Sequence, residues 1–379
     1  MKNTYFIKHV HLGGYKSIQD TKVDFLLGLN IVIGKNGTGK SNFFEFLNKS
    51  MNLKFAPSTK IHFEAVLQYE DKPLTYKYSA EEVKKTGKPL QEKILNVKGE
   101  INYETENYFV NKNIIQKEKE DIDISELEGN IYTEKRFKIS DVKYIKYGHP
   151  SEIKEDLLLV RREIIIDFPN IIEWGHNIFE PFVTKYKNNL EKMREYMPEL
   201  AEILEGNSDF TLFLKYSPIQ KIRYNRGITV KQVGNDSFEF GNIFWEYQYN
   251  NQWFSFDELS DGTQRVLHII YEITFNSNKN PIILLEEPEL GIHPHQFHLL
   301  MDFLKEASES KQIIISTHSP QALNVLNVNE LDRIIVADMT EGGTQFRHLS
   351  EKTKAKARKY MENEDSLGAF WLHSDLENA

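Results

Sequence analysis

Eight residues constrain this chain more than any others: Gly34-Lys35-Asn36-Gly37-Thr38-Gly39-Lys40-Ser41 fit the pattern G-x-x-x-x-G-K-[ST]. The setting matters as much as the letters. The apolar run Leu29-Asn30-Ile31-Val32-Ile33 precedes the octet as a buried strand would, and Asn42-Phe43-Phe44-Glu45-Phe46-Leu47 follows with its apolar residues on one helical face. A strand, a glycine-rich turn and a helix N-terminus make an anion cradle, because backbone N–H groups curl around the ligand and the helix dipole favours negative charge. The pattern predicts that Gly34, Asn36, Gly37, Gly39, Lys40 and Ser41 hold a nucleoside triphosphate. Lys40 would reach the β- and γ-phosphates, and the Ser41 hydroxyl would ligate Mg²⁺.

Three further segments narrow the chemistry. Pro281-Ile282-Ile283-Leu284-Leu285-Glu286-Glu287-Pro288-Glu289 is a short apolar strand ending in acids. At the C-terminal edge of a parallel sheet such acids arrive where ligands bind in open α/β folds. Glu286 is then placed to hold Mg²⁺ through water, and Glu287 to orient and deprotonate an attacking water. Gln312-Ile313-Ile314-Ile315-Ser316-Thr317-His318-Ser319-Pro320 is a second buried strand, delivering His318 within reach of a γ-phosphate or that water. Phe256-Asp257-Glu258-Leu259-Ser260-Asp261-Gly262-Thr263-Gln264-Arg265 precedes an amphipathic helix expected over 266–275, with Ser260 and Asp261 as good helix caps.

In this order the four motifs resemble the ATP-binding-cassette class of ATPases, and within it the RecF/SMC/OLD branch as found in bacterial anti-phage defence systems. Gly14-Tyr15-Lys16-Ser17-Ile18 resembles that branch's opening strand and turn. Glu-Glu-Pro-Glu with Leu290-Gly291-Ile292-His293-Pro294 resembles its Walker B and D-loop, Ser316–Pro320 its switch histidine, and Leu367-Gly368-Ala369-Phe370-Trp371-Leu372 the tail of OLD-type ATPase domains. The resemblance is good over 1–70 and 225–379 and poor between. It implies an α/β P-loop ATPase head with a mixed central sheet, an antiparallel β lobe and a helical insertion, using ATP and Mg²⁺. It also implies a head-to-head dimer in which Ser260 and the Gly262 N–H of one copy cap the γ-phosphate held by Lys40 of the other. Two letters depart from the wider class: Glu286 stands where transporters usually have Asp, and Asp261 stands where many cassettes have Gly.

Composition agrees with a globular intracellular protein. Of 379 residues, 40% are hydrophobic and 27% charged; there is no cysteine, which excludes disulfides and thiolate chemistry. The apolar runs are shorter than the ~20 residues of a membrane span, and Met1-Lys2-Asn3 opens no signal peptide, so a cytoplasmic location is expected. A net charge of −9 argues against whole-surface attraction to nucleic acid. A local basic groove stays open, with Lys185 and Lys187, the set Lys215, Lys221, Arg223 and Arg226, and the run Lys352 to Lys359 as candidates, so DNA remains a candidate partner.

Hydrophobic period divides the chain into 1–140, an N-terminal ATPase lobe; 141–225, a mainly helical insertion; and 226–379, a C-terminal ATPase lobe. Residues 4–33 read as two strands, 61–131 as an antiparallel sheet, 171–197 as helix, and 227–256 as a meander. No heptad pattern is sustained, so no SMC-type arms are expected. Gln68 and Gln116 compete as a glutamine completing the Mg²⁺ shell. His295, His298 and Asp302 have metal-ligand spacing on one helix, against a plain solvated face. Three roles follow from the resemblance: a defence or DNA-damage ATPase regulating a separately encoded effector, a RecF-like loading factor, or a weakly hydrolysing scaffold. No Toprim-type nuclease is expected, since the chain stops at Ala379 and Asp121-Ile122-Asp123 follows a charged run, not a buried strand.

Overall fold

The computed structural model describes residues 5–51, 54–55, 60–69, 72–85, 93–103, 106–116, 122–123, 142–145, 162–167, 182–206, 209–234, 237–276, 282–362 and 366–374. The chain divides into two compact units. Unit 1 comprises 1–146, 271–290 and 301–379; unit 2 comprises 147–270 and 291–300. Among the described residues no helix is long and apolar enough to cross a membrane.

Unit 1 is built on a six-stranded sheet in the order Val142–Ile145, Ile282–Glu286, Gln312–Thr317, Leu29–Ile33, Ile334–Thr340, Gly343–His348. The first five strands run parallel and the last antiparallel. Every residue of the three central strands is buried, as expected of parallel strands covered on both faces. The helix Lys40–Met51 leaves the end of Leu29–Ile33 and buries Phe43, Phe44, Phe46, Leu47 and Met51. At ~1.5–3 kcal/mol for each large apolar side chain removed from water, this helix is anchored mainly by its phenylalanines.

The second sheet of unit 1 is antiparallel, in the order Ile18–Asp24, Tyr5–Tyr15, Lys60–Tyr69, Lys72–Lys85, Lys93–Tyr103, Glu106–Gln116. It is the antiparallel lobe expected from the alternating segments. The interval 5–33 holds three strands where two were expected, because the chain reverses at Lys16-Ser17 and Lys16 takes a positive φ of 49°. Buried Gln312 joins the two sheets: its amide bonds the N–H and C=O of Ile7 at 2.8 Å each and the carbonyl of Leu26 at 3.1 Å.

Unit 2 holds two three-stranded sheets, Arg162–Asp167/Ser237–Ile243/Thr229–Gln232 and Lys221–Tyr224/Trp245–Tyr249/Gln252–Ser255. The expected meander over 227–256 is therefore shared between two sheets, because Asn242 takes a φ of 58° just before the second begins. A helical segment over 182–186 and helices Leu190–Glu195, Met197–Gly206 and Thr211–Tyr216 accompany them. The first eleven residues of the helix expected over 171–197 lie outside the described residues. Trp245 is the hub of this core, edge-on to Phe210, Phe213 and Tyr224.

Candidate functional site

The glycine-rich turn follows Ile33 at the end of its strand. Gly37 and Gly39 take φ of 84° and 91°, which L side chains rarely adopt. Gly39 has a second reason to be glycine: a Cβ there would collide with Thr344 Oγ1. Thr344 Oγ1 donates to Ser17 Oγ at 2.7 Å, and Asn42 Nδ2 donates to the same oxygen at 2.8 Å. The Gly14–Ile18 turn thus buttresses the base of the loop. Lys40 is buried, and its ammonium donates to the carbonyls of Gly34 and Lys35 at 2.7 and 2.9 Å. The side chain is folded over its own turn, Ser41 is half-buried at the first helical turn, and Asn36 and Gly37 are exposed at the tip.

Sheet register fixes the neighbouring groups. Ile33 pairs Thr317, and Ser316 pairs Glu286, so the turn, the acids and the histidine leave three adjacent strands at one edge. Glu286 is buried at the last strand position. Glu287 follows in a left-handed conformation, φ 43°. For a non-glycine residue this costs on the order of 1–3 kcal/mol, and such strain concentrates at functional sites. It is held by its N–H to Ser316 O at 2.8 Å and by Leu290 N–H donating to Glu287 O at 3.2 Å.

The third acid closes the edge. Glu289 Oε1 accepts from Thr317 Oγ1 at 2.6 Å and from the His318 N–H at 2.9 Å, and lies 3.1 Å from His318 Nδ1. The same ring nitrogen stands 4.0 Å from Glu287 Oε1. Glu289 therefore sets the histidine that faces Glu287, a role the sequence did not assign. The third carboxylate of Glu-Glu-Pro-Glu was the available signal. Two buried polar atoms here, Ser316 Oγ and Glu289 Oε2, have no protein partner. The Leu367–His373 helix supports the far side of the loop: Gly368 N–H donates to Asn324 Oδ1 at 2.8 Å, and a Cβ on Gly368 would lie 2.6 Å from Pro320 O.

In unit 2, Ser260 caps the helix Asp261–Tyr271. Its Oγ accepts from Thr263 N–H at 3.3 Å and bonds Thr263 Oγ1 at 2.9 Å. The helix begins five residues earlier than expected and passes into a π-helical turn over Glu272–Asn276. Ser260 and Asp261 are exposed, and Asp261 lies in the first turn, where the dipole favours a carboxylate. Gly262 is buried, and a Cβ on it would stand 2.6 Å from Gly291 O. Gln296 Nε2 donates to Thr263 Oγ1 at 3.2 Å, so the signature and the start of the helix Pro294–Ala307 brace one another within this unit.

Other candidates fare differently. Among the described residues His295, His298 and Asp302 do not converge as a metal-holding group. Gln68 and Gln116 are in strands, but their side chains lie outside the described residues, as does the charged run over 117–121. Arg223 is ion-paired to Glu246 at 2.7 Å and stacked on Trp253 at 3.9 Å, and Arg226 is paired to Glu205 at 3.1 Å. Lys354 is buried between Asp332 and Glu351. These cations are largely committed to their own fold.

Three proteins set this geometry in context. Over 362 residues the chain is 22% identical to the Septu protein PtuA of Bacillus mycoides, covering 92% of this chain and 42% of that protein, so it spans less than half of that relative. It is 23% identical over 342 residues to an ATP/GTP phosphatase of Helicobacter pylori, covering 85% and 87%. A crystal structure of the Smc head bound to the C-winged helix domain of ScpA superposes with a TM-score of 0.50 at 16% identity, covering 93% of this chain and 99% of that one, and bears out the fold class. The phosphate turn, acidic strand and histidine strand all lie within residues 29–324, which a family model matches. The chain carries an ATPase domain and belongs to the family described as "AAA domain, putative AbiEii toxin, Type IV TA system".

Proposed function

We propose that this chain binds and hydrolyses ATP at the edge formed by Gly34–Ser41, Glu286, Glu287 and His318. The observation that carries this is the register that brings the turn, the acids and the histidine to one end of three adjacent strands. The donor set fits a triphosphate with Mg²⁺: a glycine turn in which a Cβ would clash at Gly34 and Gly39, an ammonium bonded to loop carbonyls, and a serine and carboxylate suited to a hard cation. Bound Mg²⁺ would neutralise charge on the β- and γ-oxygens, with Ser41 as ligand and Glu286 holding it through water.

Each protein group then has a task. Lys40 leaves the Gly34 and Lys35 carbonyls for the β/γ-phosphate oxygens, and Gly34, Asn36, Gly37 and Gly39 shape the backbone around them. Glu287 accepts a proton from the water whose oxygen attacks the γ-phosphorus as the bond to the β,γ-bridging oxygen breaks. His318, steered by Glu289, senses the γ-phosphate. Ser260 and the Gly262 N–H of a second copy cap that phosphate, giving a two-fold closure in which the same surfaces are used twice. Hydrolysis removes the shared phosphate and shifts the population towards the open form.

In this reading the cycle regulates a separately encoded effector in anti-phage defence, in line with the likeness to a Septu protein and with a family named for a toxin–antitoxin system. The effector is taken to dock on residues 150–225, where the family resemblance is weakest. The test is Glu287→Gln. Turnover should fall ~10²–10⁴-fold with nucleotide binding retained, as expected for loss of a general base, and ATP should double the mass seen by light scattering. Near-native turnover in this variant sinks the assignment.

A further inference from the structure

The antiparallel lobe of unit 1 carries a second constellation, separate from every residue assigned to the nucleotide. Along Tyr5–Tyr15, Val10 and Leu12 are fully buried, while His11 alternates with them on the outer face. Gly13 is next in that outer row. In register, Gly13 lies between Asp20 on one neighbouring strand and His62 on the other. The backbones of those neighbours stand about 9–10 Å apart, twice the strand spacing. A Cβ on Gly13 would collide with the His62 ring. The missing side chain is what lets Asp20 and His62 meet above the middle strand.

Three ligand atoms converge there. His11 Nε2 lies 2.5 Å from Asp20 Oδ1, His62 Nε2 lies 3.3 Å from the same oxygen, and the two Nε2 atoms are 3.2 Å apart. Hydrogens serve this triangle poorly. If both Nε2 atoms are protonated, both N–H groups crowd one oxygen; if one is not, the single remaining N–H has to serve both that nitrogen and the Asp20 oxygen. A cation above the triangle takes all three at once, with both imidazole protons on Nδ1. Ligands 2.0–2.2 Å from one ion stand roughly 2.8–3.6 Å apart in tetrahedral or octahedral geometry. Two edges already match, and the third needs only to open.

We propose that His11, Asp20 and His62 bind a divalent transition-metal ion of the Zn²⁺ type, clipping three strands of the antiparallel lobe and leaving the remaining coordination to water. Two imidazoles and one carboxylate favour Zn²⁺ or Co²⁺ over Mg²⁺ or Ca²⁺, which take oxygen ligands.

The full chain, stripped with a chelator and kept free of nucleotide, is titrated with Zn²⁺ by calorimetry and with Co²⁺ by visible absorption. One equivalent per chain and Co²⁺ d–d bands are expected, together with a higher melting temperature in Zn²⁺. His62→Ala and Asp20→Asn should each weaken Zn²⁺ binding at least ~100-fold, beyond the usual effect of losing an outer-shell partner. Asp20 is largely exposed, so its variant keeps the fold even where His62→Ala does not. No bound equivalent in the native chain, or Zn²⁺ affinity unchanged in Asp20→Asn, overturns the proposal.

Discussion

The acidic edge of unit 1 and the signature segment of unit 2 are built in opposite ways. At the acidic edge the groups are held in functional relation by the sheet. Glu286 is locked in a buried ladder, Glu287 is forced into a left-handed conformation, and His318 is tied to Glu289 through both its backbone and its ring. The signature is complete as a local helix start. Ser260 is spent on Thr263, and Gly262 is a glycine because of Gly291, while Ser260 and Asp261 face outward. One region stores strain beside unpaired buried atoms and so is poised for chemistry; the other is a satisfied cap that gains a role only when a ligand arrives. Substitutions should separate the two: edge variants lose chemistry in a single copy, signature variants only what depends on a second.

The largest effect is expected for Lys40→Ala. It removes the cation that the triphosphate needs and leaves the Gly34 and Lys35 carbonyls without their ammonium. Nucleotide affinity should fall at least ~100-fold by calorimetry, consistent with losing several charge-assisted hydrogen bonds. Wild-type affinity in this variant would remove the distinction at its root, because the pre-built edge would not be the nucleotide site.

Ser260→Arg should sharpen the contrast. The residue is exposed at the start of its helix. Losing the cap hydrogen bond costs about 1 kcal/mol of helix stability. Turnover should drop at least ~10-fold, the order of one lost charge-assisted phosphate contact, while nucleotide binding at low protein concentration is kept. Equal turnover would mean that the signature does not complete a shared site.

Glu289→Gln addresses the edge itself. The amide keeps one acceptor for Thr317 and the His318 N–H but loses the charge facing the ring. Turnover should fall ~10-fold, and thermal stability by about 1.5–3 kcal/mol, in the range for hydrogen bonds to a charged group. Unchanged turnover with lowered stability would make Glu289 a structural clamp alone.

Much of this was legible in the sequence, and for identifiable reasons. The runs Leu29–Ile33, Ile282–Glu286 and Gln312–Thr317 are uninterruptedly apolar because they are buried on both faces, and their polar ends mark the ligand edge. The segment from Ile61 to Leu67 is legible as an antiparallel strand because buried and half-exposed residues alternate along it. Contacts that close over long separations were not. Glu289 meets Thr317 and His318 only because two strands lie side by side, and His62 reaches Asp20 only over a glycine on a third strand. The early start of the 261–271 helix was half visible in Ser260 and Asp261, yet the first apolar residue drew the expected boundary later.

The smallest effect expected concerns Lys311, just before the histidine strand. Burial lowers its ammonium from the ordinary lysine value of 10.5 to a pKa of about 8, while Nζ donates to Ile273 O at 2.8 Å. The unfolded chain therefore binds more protons than the folded one between about pH 8 and 10.5. Below that window the lysine is charged in both states and the cost of burying the charge is fully present. As pH rises through it the folded form sheds its proton first, so this group's contribution to stability rises with pH. Lys311→Met removes the titration and keeps most of the side-chain volume. The melting temperature of the native chain, less that of the variant, should climb from pH 7.5 to 10. A difference that stays flat or falls means that the Lys311 ammonium is well solvated or paired. The Ile273 turn and the start of the histidine strand would then be joined without a buried charge.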